Sequence, residues 1–270
     1  MPERACPVGL SSAVPSGMLT PMPDQALLTR LETYYDAAPR ATADVVAVPG
    51  FTLFVARTGW SFYGRPHPGA RYDADAVRAV RRQLVDHSVP DQLEWVDELV
   101  PTLRPAAAQA GMTVHDNPLL VLLQPLPIPA PPGVVVEILD PDDPRVGDAQ
   151  AAVAAGFKGT DDKALEPGAE VFRDRAREGL LVMVGAFERG EAVGGGTHAP
   201  RDGVTELLGI ATLPRARRRG IGAAITSALT HDAMAGEATT IFLSAGSDAV
   251  ARVYEHVGFV RVGTACVAEG

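Results

Sequence analysis

Hydrophobic and polar residues follow two alternating periods along the chain, and the order is clearest in its second half. Short apolar or alternating runs between turn residues predict strands over 134–139, 180–187, 192–199, 205–212, 239–245 and 259–268. Apolar residues at helical spacing, with Asp, Ser or Gly at the ends, predict helices over 142–157, 168–179, 220–236 and 247–258. This element order predicts an α+β fold, a mixed sheet flanked by helices.

The first half shows a similar but weaker alternation. Helices are predicted over 25–39, 73–87 and 99–111, and strands over 51–57, 93–98 and 112–123. The segment 61–65 is a candidate partner for the strand at 51–57. The first half is therefore predicted to form a second, smaller α/β lobe.

A proline-rich segment separates the two halves. Five of the residues in 125–133 are proline, which interrupts helices and is excluded from central strands, so an extended, semi-rigid linker is predicted. The predicted organisation is a disordered leader over 1–24, an N-terminal lobe over 25–124, the linker over 125–133 and a C-terminal domain over 134–270.

Composition narrows the class of protein. Of 270 residues, 46% are hydrophobic, enough for a buried core, and no apolar run approaches the length of a membrane helix. The net charge of −9 disfavours a nucleic-acid partner. Cys6 and Cys266 cannot form a disulfide framework, and no Cys/His cluster suggests a metal site. A cytoplasmic protein without a membrane partner is expected.

The loop after the strand at 205–212 carries the most specific chemistry. Three arginines at 217–219 precede Gly220 and Gly222, where a helix begins. A helix N-terminus presents unpaired N–H groups and a partial positive charge, and glycine lets a bulky anion approach the backbone. Because arginines add charge-assisted donors, the segment predicts a phosphate-binding site.

Two motifs together resemble the GNAT acyltransferase superfamily. The Arg-x-x-Gly-x-Gly sequence at 217–222, between a strand and a helix, is similar to that family's coenzyme A pyrophosphate loop. The second motif is a strand, then a helix with Ala and Tyr, then a Gly-Phe pair, here Ala251, Tyr254, Gly258 and Phe259. The resemblance covers 134–270 and implies the GNAT fold for that segment.

The resemblance implies acetyl-CoA, or another short acyl-CoA, as co-substrate. It assigns the cofactor contacts to Ile210, Ala211, Thr212, Arg217, Arg218, Arg219, Gly220, Ile221, Gly222, Ala223 and Asp248. Many members have glycine at the position of Arg218, and asparagine where this chain has Ser247 or Asp248, so these contacts are expected to differ in detail. Members also tend to carry a β-bulge in the strand before the loop, which frees an N–H for a developing oxyanion.

Tyr254 and Glu206 are the catalytic residues that the resemblance implies. The family's tyrosine protonates the leaving thiolate, and a glutamate four residues before Ile210 takes a proton from the substrate amine in some members. Strand alternation predicts Glu206, Leu208 and Ile210 on one face, where apolar neighbours would raise the pKa of the glutamate. His198, on the neighbouring strand, and water are the alternative bases.

The sequence thus predicts an enzyme, an acyl-CoA-dependent N-acyltransferase acting on a primary amine of a small molecule or peptide. A non-catalytic acyl-CoA-binding module, an O-acyltransferase and a decarboxylase remain alternatives, and neither the acceptor nor the oligomeric state is determined. Aligning Gly111 with Gly258 places Ala107 at the position of Tyr254, and nothing in the first half matches the arginine-glycine loop. Residues 25–124 are therefore predicted to be a degenerate copy of the same fold with a structural role.

Overall fold

The computed structural model describes residues 24–57, 62–164 and 169–270, which form seven α-helices and one continuous sheet of eleven strands. The helices are α1 Gln25–Arg40, α2 Ala74–Asp86, α3 Leu103–Gln109, α4 Val146–Lys158, α5 Ala169–Arg177, α6 Ile221–Ala235 and α7 Asp248–Glu255. The strands are β1 Ala43–Val48, β2 Phe51–Ala56, β3 Gly64–Pro66, β4 Gln92–Val96, β5 Thr113–Leu122, β6 Val134–Leu139, β7 Val182–Glu188, β8 Glu191–Arg201, β9 Val204–Thr212, β10 Thr240–Ser244 and β11 Phe259–Glu269. The predicted mixed sheet flanked by helices is confirmed. Residues 1–23 of the predicted leader lie outside the described residues. Residue 61, the first of the segment predicted to pair with β2, also lies outside them.

The strand order interlocks the two halves of the chain. The order is β1-β2-β3-β4-β11-β5-β10-β9-β8-β7-β6. Strand β5, the last of the first half, lies antiparallel between β10 and β11, and β11, the last of the second half, lies antiparallel between β4 and β5. Both neighbours of each last strand therefore belong to the other half.

The two halves repeat the same connections. In the second half, β8 and β9 form a hairpin, α6 leads to β10 parallel to β9, and α7 leads to β11. In the first half, β2 and β3 pair antiparallel, α2 leads to β4 parallel to β3, and α3 leads to β5. Gly111 and Gly258 both follow the last helix of their half with positive φ, +84° and +103°.

Helices cover both faces of the second half of the sheet. The neighbouring residues Gly195 and Gly196 of β8 approach Val153 of α4 and Ile225 of α6, respectively, so α4 and α6 lie on opposite faces. Helix α1, from the first half, lies on the face of α4, where Tyr35 donates a hydrogen bond to Glu206. The first half also has its own core, formed by residues of β2 and β4 with α2 and α3.

The proline-rich segment lies against α6 rather than apart from the domain. The N–H of Ile128 donates to Ser227 Oγ at 3.0 Å, and the Ser227 hydroxyl donates to the carbonyl oxygen of Leu126 at 3.1 Å. Gly258 contacts the start of the segment so closely that a Cβ there would lie 1.8 Å from the carbonyl oxygen of Gln124. The extended segment is thus fixed to the second half at several points.

Candidate active site

The parallel strands β9 and β10 part in the middle of the sheet. They pair at three positions, from Val204 with Thr240 to Glu206 with Phe242. Beyond these residues β10 pairs only with β5, up to Ser244. A V-shaped opening therefore begins next to Glu206.

A β-bulge interrupts β9 at this opening. The register shifts so that Gly196 of β8 lies opposite both Gly209 and Ile210, and Gly209 has a φ of +58°. The predicted shared face holds for Glu206 and Leu208, which line the same cavity. It is wrong for Ile210, because the extra residue turns its side chain toward α6: a Cβ on Gly196 would lie 2.8 Å from Ile210 Cγ1.

The start of α6 has the features of an anion site. Gly220 is the residue before the helix, with a φ of +83°, and the first hydrogen bond within the helix runs from the N–H of Ala224 to the carbonyl oxygen of Gly220 at 3.0 Å. The N–H groups of Ile221, Gly222 and Ala223 therefore have no acceptor within the helix. No atom lies within 4 Å of a Cβ built on Gly222. The loop fits a pyrophosphate that approaches the backbone.

Two of the three loop arginines contact other parts of the protein and so fix the position of the loop. Arg217 donates to the carbonyl oxygen of Gly156, at the end of α4, at 2.6 Å, and Arg219 forms an ion pair with Glu188 at 2.6 Å. Arg218 has a φ of +59°, a left-handed conformation that glycine adopts without strain. Glycine would therefore fit the backbone at position 218 without strain.

The second motif lies on α7. Ser247 caps the helix by accepting from the N–H of Val250 at 3.3 Å, and the exposed Asp248 pairs with Arg261 of β11 at 3.0 Å. Since β9 and β10 are parallel, the starts of α6 and α7 follow the same edge of the sheet. Asp248 is therefore at the predicted edge, with its carboxylate directed to β11.

Tyr254 of α7 is buried among apolar residues on the face of α6. Its ring lies 6.1 Å from that of Phe259, and burial raises the pKa of its hydroxyl to about 12. The hydroxyl is therefore protonated at neutral pH. Glu206 faces the opposite side of the sheet, so any molecule that meets both residues must pass through the opening between β9 and β10.

Glu206 lies on the wall of a cavity of about 300 Å³ that is built from both halves of the chain. The Tyr35 hydroxyl donates to Glu206 Oε1 at 3.1 Å, and burial raises the pKa of Glu206 to about 8. Glu94 of β4 lines the same cavity, and burial raises its pKa to about 7. The charge of Glu94 raises the pKa of Glu206 further by like-charge repulsion.

A buried ion pair supports this wall. Arg65 of β3 forms a bidentate pair with Glu32 of α1, at 2.7 and 3.0 Å, and its guanidinium stacks 4.5 Å from the centre of the Tyr35 ring. The positive charge of Arg65 lowers the pKa of Glu206 and of Glu94 against the effect of burial. Sequence reasoning missed Arg65, Glu32 and Glu94. The available signal was Glu32 itself, a charge on the apolar face of the predicted first helix.

The structure does not bring His198 to Glu206. The imidazole lies on the face of α6, with Nδ1 3.0 Å from Thr205 Oγ1 and Nε2 2.8 Å from Asp232. Burial lowers its pKa. It is therefore removed from the cavity by the thickness of the sheet.

The described fold is similar to that of GNAT proteins of known structure. The chain is similar to a GCN5-related N-acetyltransferase from Kribbella flavida, with 24% identity and a TM-score of 0.68 over 90% of this chain and 95% of that one. A GCN5-related N-acetyltransferase from Sphaerobacter thermophilus is 17% identical, with a TM-score of 0.59 over 90% of each chain. A tandem GNAT protein from the clavulanic acid biosynthesis pathway is 15% identical, with a TM-score of 0.52 over 81% of this chain and 78% of that one.

The sequence of the second half gives a matching result. Residues 152–259 match the model of the Acetyltransferase (GNAT) family, from α4 to the start of β11. This segment of the chain is therefore similar to an acetyltransferase domain of the GNAT family. No curated protein matches the sequence.

Within 24–57, 62–164 and 169–270, no three His, Cys, Asp or Glu side chains gather as metal ligands would. In the same part of the chain, no helix combines the length and the apolar character that crossing a membrane requires.

Proposed function

We propose that the protein transfers an acetyl group from acetyl-CoA to a primary amine of a small molecule. The observation that carries this proposal is the position of Glu206: a buried carboxyl group with a pKa of about 8, on the cavity wall, at the residue where β9 and β10 part. A base is most effective when its pKa lies near the working pH. The partly enclosed cavity favours a small acceptor over a protein surface.

Glu206 serves as the base and Tyr254 as the acid. A primary amine is mostly protonated at neutral pH, so Glu206 takes one proton from the ammonium group and releases it to solvent. The amine nitrogen then bonds to the acetyl carbon while the carbon–sulfur bond breaks. A second proton leaves the nitrogen, and the Tyr254 hydroxyl supplies the matching proton to the departing sulfur.

The loop at 217–222 and the start of α6 hold the pyrophosphate of the co-substrate. Support comes from the N–H groups without acceptors at 221–223 and from the open space at Gly222. The bulged part of β9, at 209–212, pairs with the pantetheine arm. Its edge toward β10 has no strand partner beyond Glu206, so backbone groups there are available.

We further propose that 25–124 is a degenerate copy of the C-terminal domain, as the repeated connections and the matched glycines support. The N-terminus of α2, the counterpart of α6, carries Asp73 as its cap and Asp75 in its first turn, which repel an anion. Ala107, at the position of Tyr254, has no hydroxyl group. One co-substrate site per chain follows from these differences.

A panel of primary amines with acetyl-CoA tests the proposal, with release of free thiol as the readout. We expect thiol release that depends on the amine in the wild-type protein and a loss of about 10²-fold or more in Glu206→Gln, the usual contribution of a general base. Glu255→Gln, an exposed substitution on α7, is the matched control and should keep full activity. Binding of acetyl-CoA without transfer to any amine would instead indicate a binding module.

A further inference from the structure

Two arginines line the cavity of Glu206 at its end away from the opening between β9 and β10. Arg201 is the last residue of β8, and Arg175 lies on α5. Burial lowers the pKa of both guanidinium groups, and the charge of Arg201 lowers the pKa of Arg175 further. The two guanidinium groups place positive charge at this end of the cavity, and positive charge favours an anionic group there.

Part of the Arg201 guanidinium is buried without a partner. Its Nη1 donates to the carbonyl oxygens of Leu180 and Pro200, whereas its Nε is buried and forms no hydrogen bond. Among the residues that the structure describes, no carboxylate oxygen lies within 4.0 Å of Arg201. A buried donor without an acceptor is costly, so this group is prepared for an acceptor that the described residues do not supply.

The acidic and basic groups of the cavity are a short distance apart. Glu206 pairs with Ala199 across β8 and β9, and Arg201 follows Ala199 by two residues on the same face. Two residues of a strand span roughly 6.6 Å, so one small molecule can contact both groups. Much of the remaining wall is aromatic and is formed by Tyr34, Tyr35, Phe62, Tyr63, Trp95 and Phe172.

We propose that the acceptor is an amino acid, with its amine at Glu206, its carboxylate at Arg201 and an apolar or aromatic side chain against the aromatic wall. This inference rests on the proposed function and names its substrate class. Glu94 adds a second carboxyl group at the amine end, and Arg175 adds a second cation at the carboxylate end. A cavity of about 300 Å³ has room for one such molecule.

Pairs of amines that differ only in the carboxylate test the inference on the wild-type protein. The pairs are phenylalanine and 2-phenylethylamine, tyrosine and tyramine, tryptophan and tryptamine, and leucine and 3-methylbutylamine. Phenylalaninamide has the size of phenylalanine without its negative charge. We expect kcat/KM, calculated for the ammonium form that Glu206 deprotonates, to favour the amino acid by about tenfold or more in at least one pair, the contribution of one hydrogen bond between charged groups.

Variants of Arg201 then locate the preference. Arg201→Met should bring the kcat/KM ratio of amino acid to amine close to one, through a higher KM for the amino acid. Arg201→Lys, which retains the charge, should restore part of the ratio. Arg177→Met, an exposed substitution on α5, is the matched control and should leave the ratio unchanged.

The outcomes separate this inference from the proposed function. Equal or better transfer to the amine without a carboxylate in every pair overturns the inference and leaves the proposed function intact. Transfer to other amines of the panel, but to no member of these pairs, also overturns the inference and leaves the proposed function intact. Transfer to no amine at all overturns the proposed function and the inference with it. An unchanged ratio in a folded Arg201→Met variant also contradicts the inference.

Discussion

The titration of Glu206 gives the sharpest test of the site, because two neighbours act on it in opposite directions. Burial raises its pKa to about 8, the hydrogen bond from Tyr35 lowers the pKa, and the charge of Glu94 raises it. Only the deprotonated form can take a proton from the amine. The rate should therefore rise with pH, and the position of that rise should move when either neighbour is changed.

The structure sets the size of the effect. With a pKa of about 8, roughly a tenth of Glu206 is deprotonated at pH 7 and half at pH 8, so kcat/KM should rise about fivefold between these values. Tyr35→Phe removes one hydrogen bond to a charged group, about 1.5 kcal/mol, which moves the rise to higher pH by up to about one unit. Glu94→Gln removes a like charge and moves the rise to lower pH.

The assay is kcat/KM for one amine from pH 5.5 to 9.5 in the wild type and in Tyr35→Phe, Glu94→Gln and Glu206→Gln. The titration of the amine itself is common to all four proteins, so only differences between their profiles are interpreted. Opposite displacements in Tyr35→Phe and Glu94→Gln support the reasoning. Displacements in the same direction, or a Glu206→Gln profile that matches the wild type at full rate, would refute it.

Three further predictions concern the co-substrate and the halves of the chain. Gly222→Val should weaken coenzyme A binding in calorimetry by about tenfold or more, the equivalent of one lost charge-assisted hydrogen bond. The control is Gly147→Val, at the same second position of α4 and with equally open surroundings, which should bind coenzyme A normally. Equal affinity in both variants would contradict the phosphate site. Tyr254→Phe should fold and bind acetyl-CoA but lose about 10²- to 10⁴-fold in kcat, and a wild-type kcat would leave Tyr254 a packing residue. Titration of the full chain should give one bound coenzyme A per chain. The fragment 133–270 should aggregate in a solubility assay or lose activity in a transfer assay, because β11 loses both of its neighbouring strands.

The sequence predicted most elements because their signals are local. The helix at α2 has a capping aspartate and regular apolar spacing, and the strand at β10 is a short apolar run after a glycine turn. No strand was predicted at β1, although its sequence is apolar. Only two residues separate it from α1, and it lies at the edge of the sheet, where Val45 is 41% exposed. Among the strands of the described residues, it pairs with β2 alone.

Contacts between distant parts of the chain explain what the sequence could not supply. Alternation alone placed Ile210 beside Glu206, and one extra residue in β9 reversed its face. Nothing near β4 in the sequence indicates that Glu94 lines the same cavity as Glu206, because the strands between β4 and β9, namely β11, β5 and β10, come from both halves of the chain. The arginine-glycine loop was predictable because an anion site at a helix start needs only adjacent residues.

The interlocked sheet divides the proposed chemistry between the two halves. The loop before α6, the bulged strand and Tyr254 belong to the C-terminal half, whereas Tyr35, Arg65 and Glu94 belong to the N-terminal half. Because Arg65 and Glu94 both act on the pKa of Glu206, a change in the N-terminal half alters the base without touching the co-substrate loop. We therefore expect the N-terminal half, which binds no co-substrate in the proposed function, to influence which acceptor reacts and at what pH.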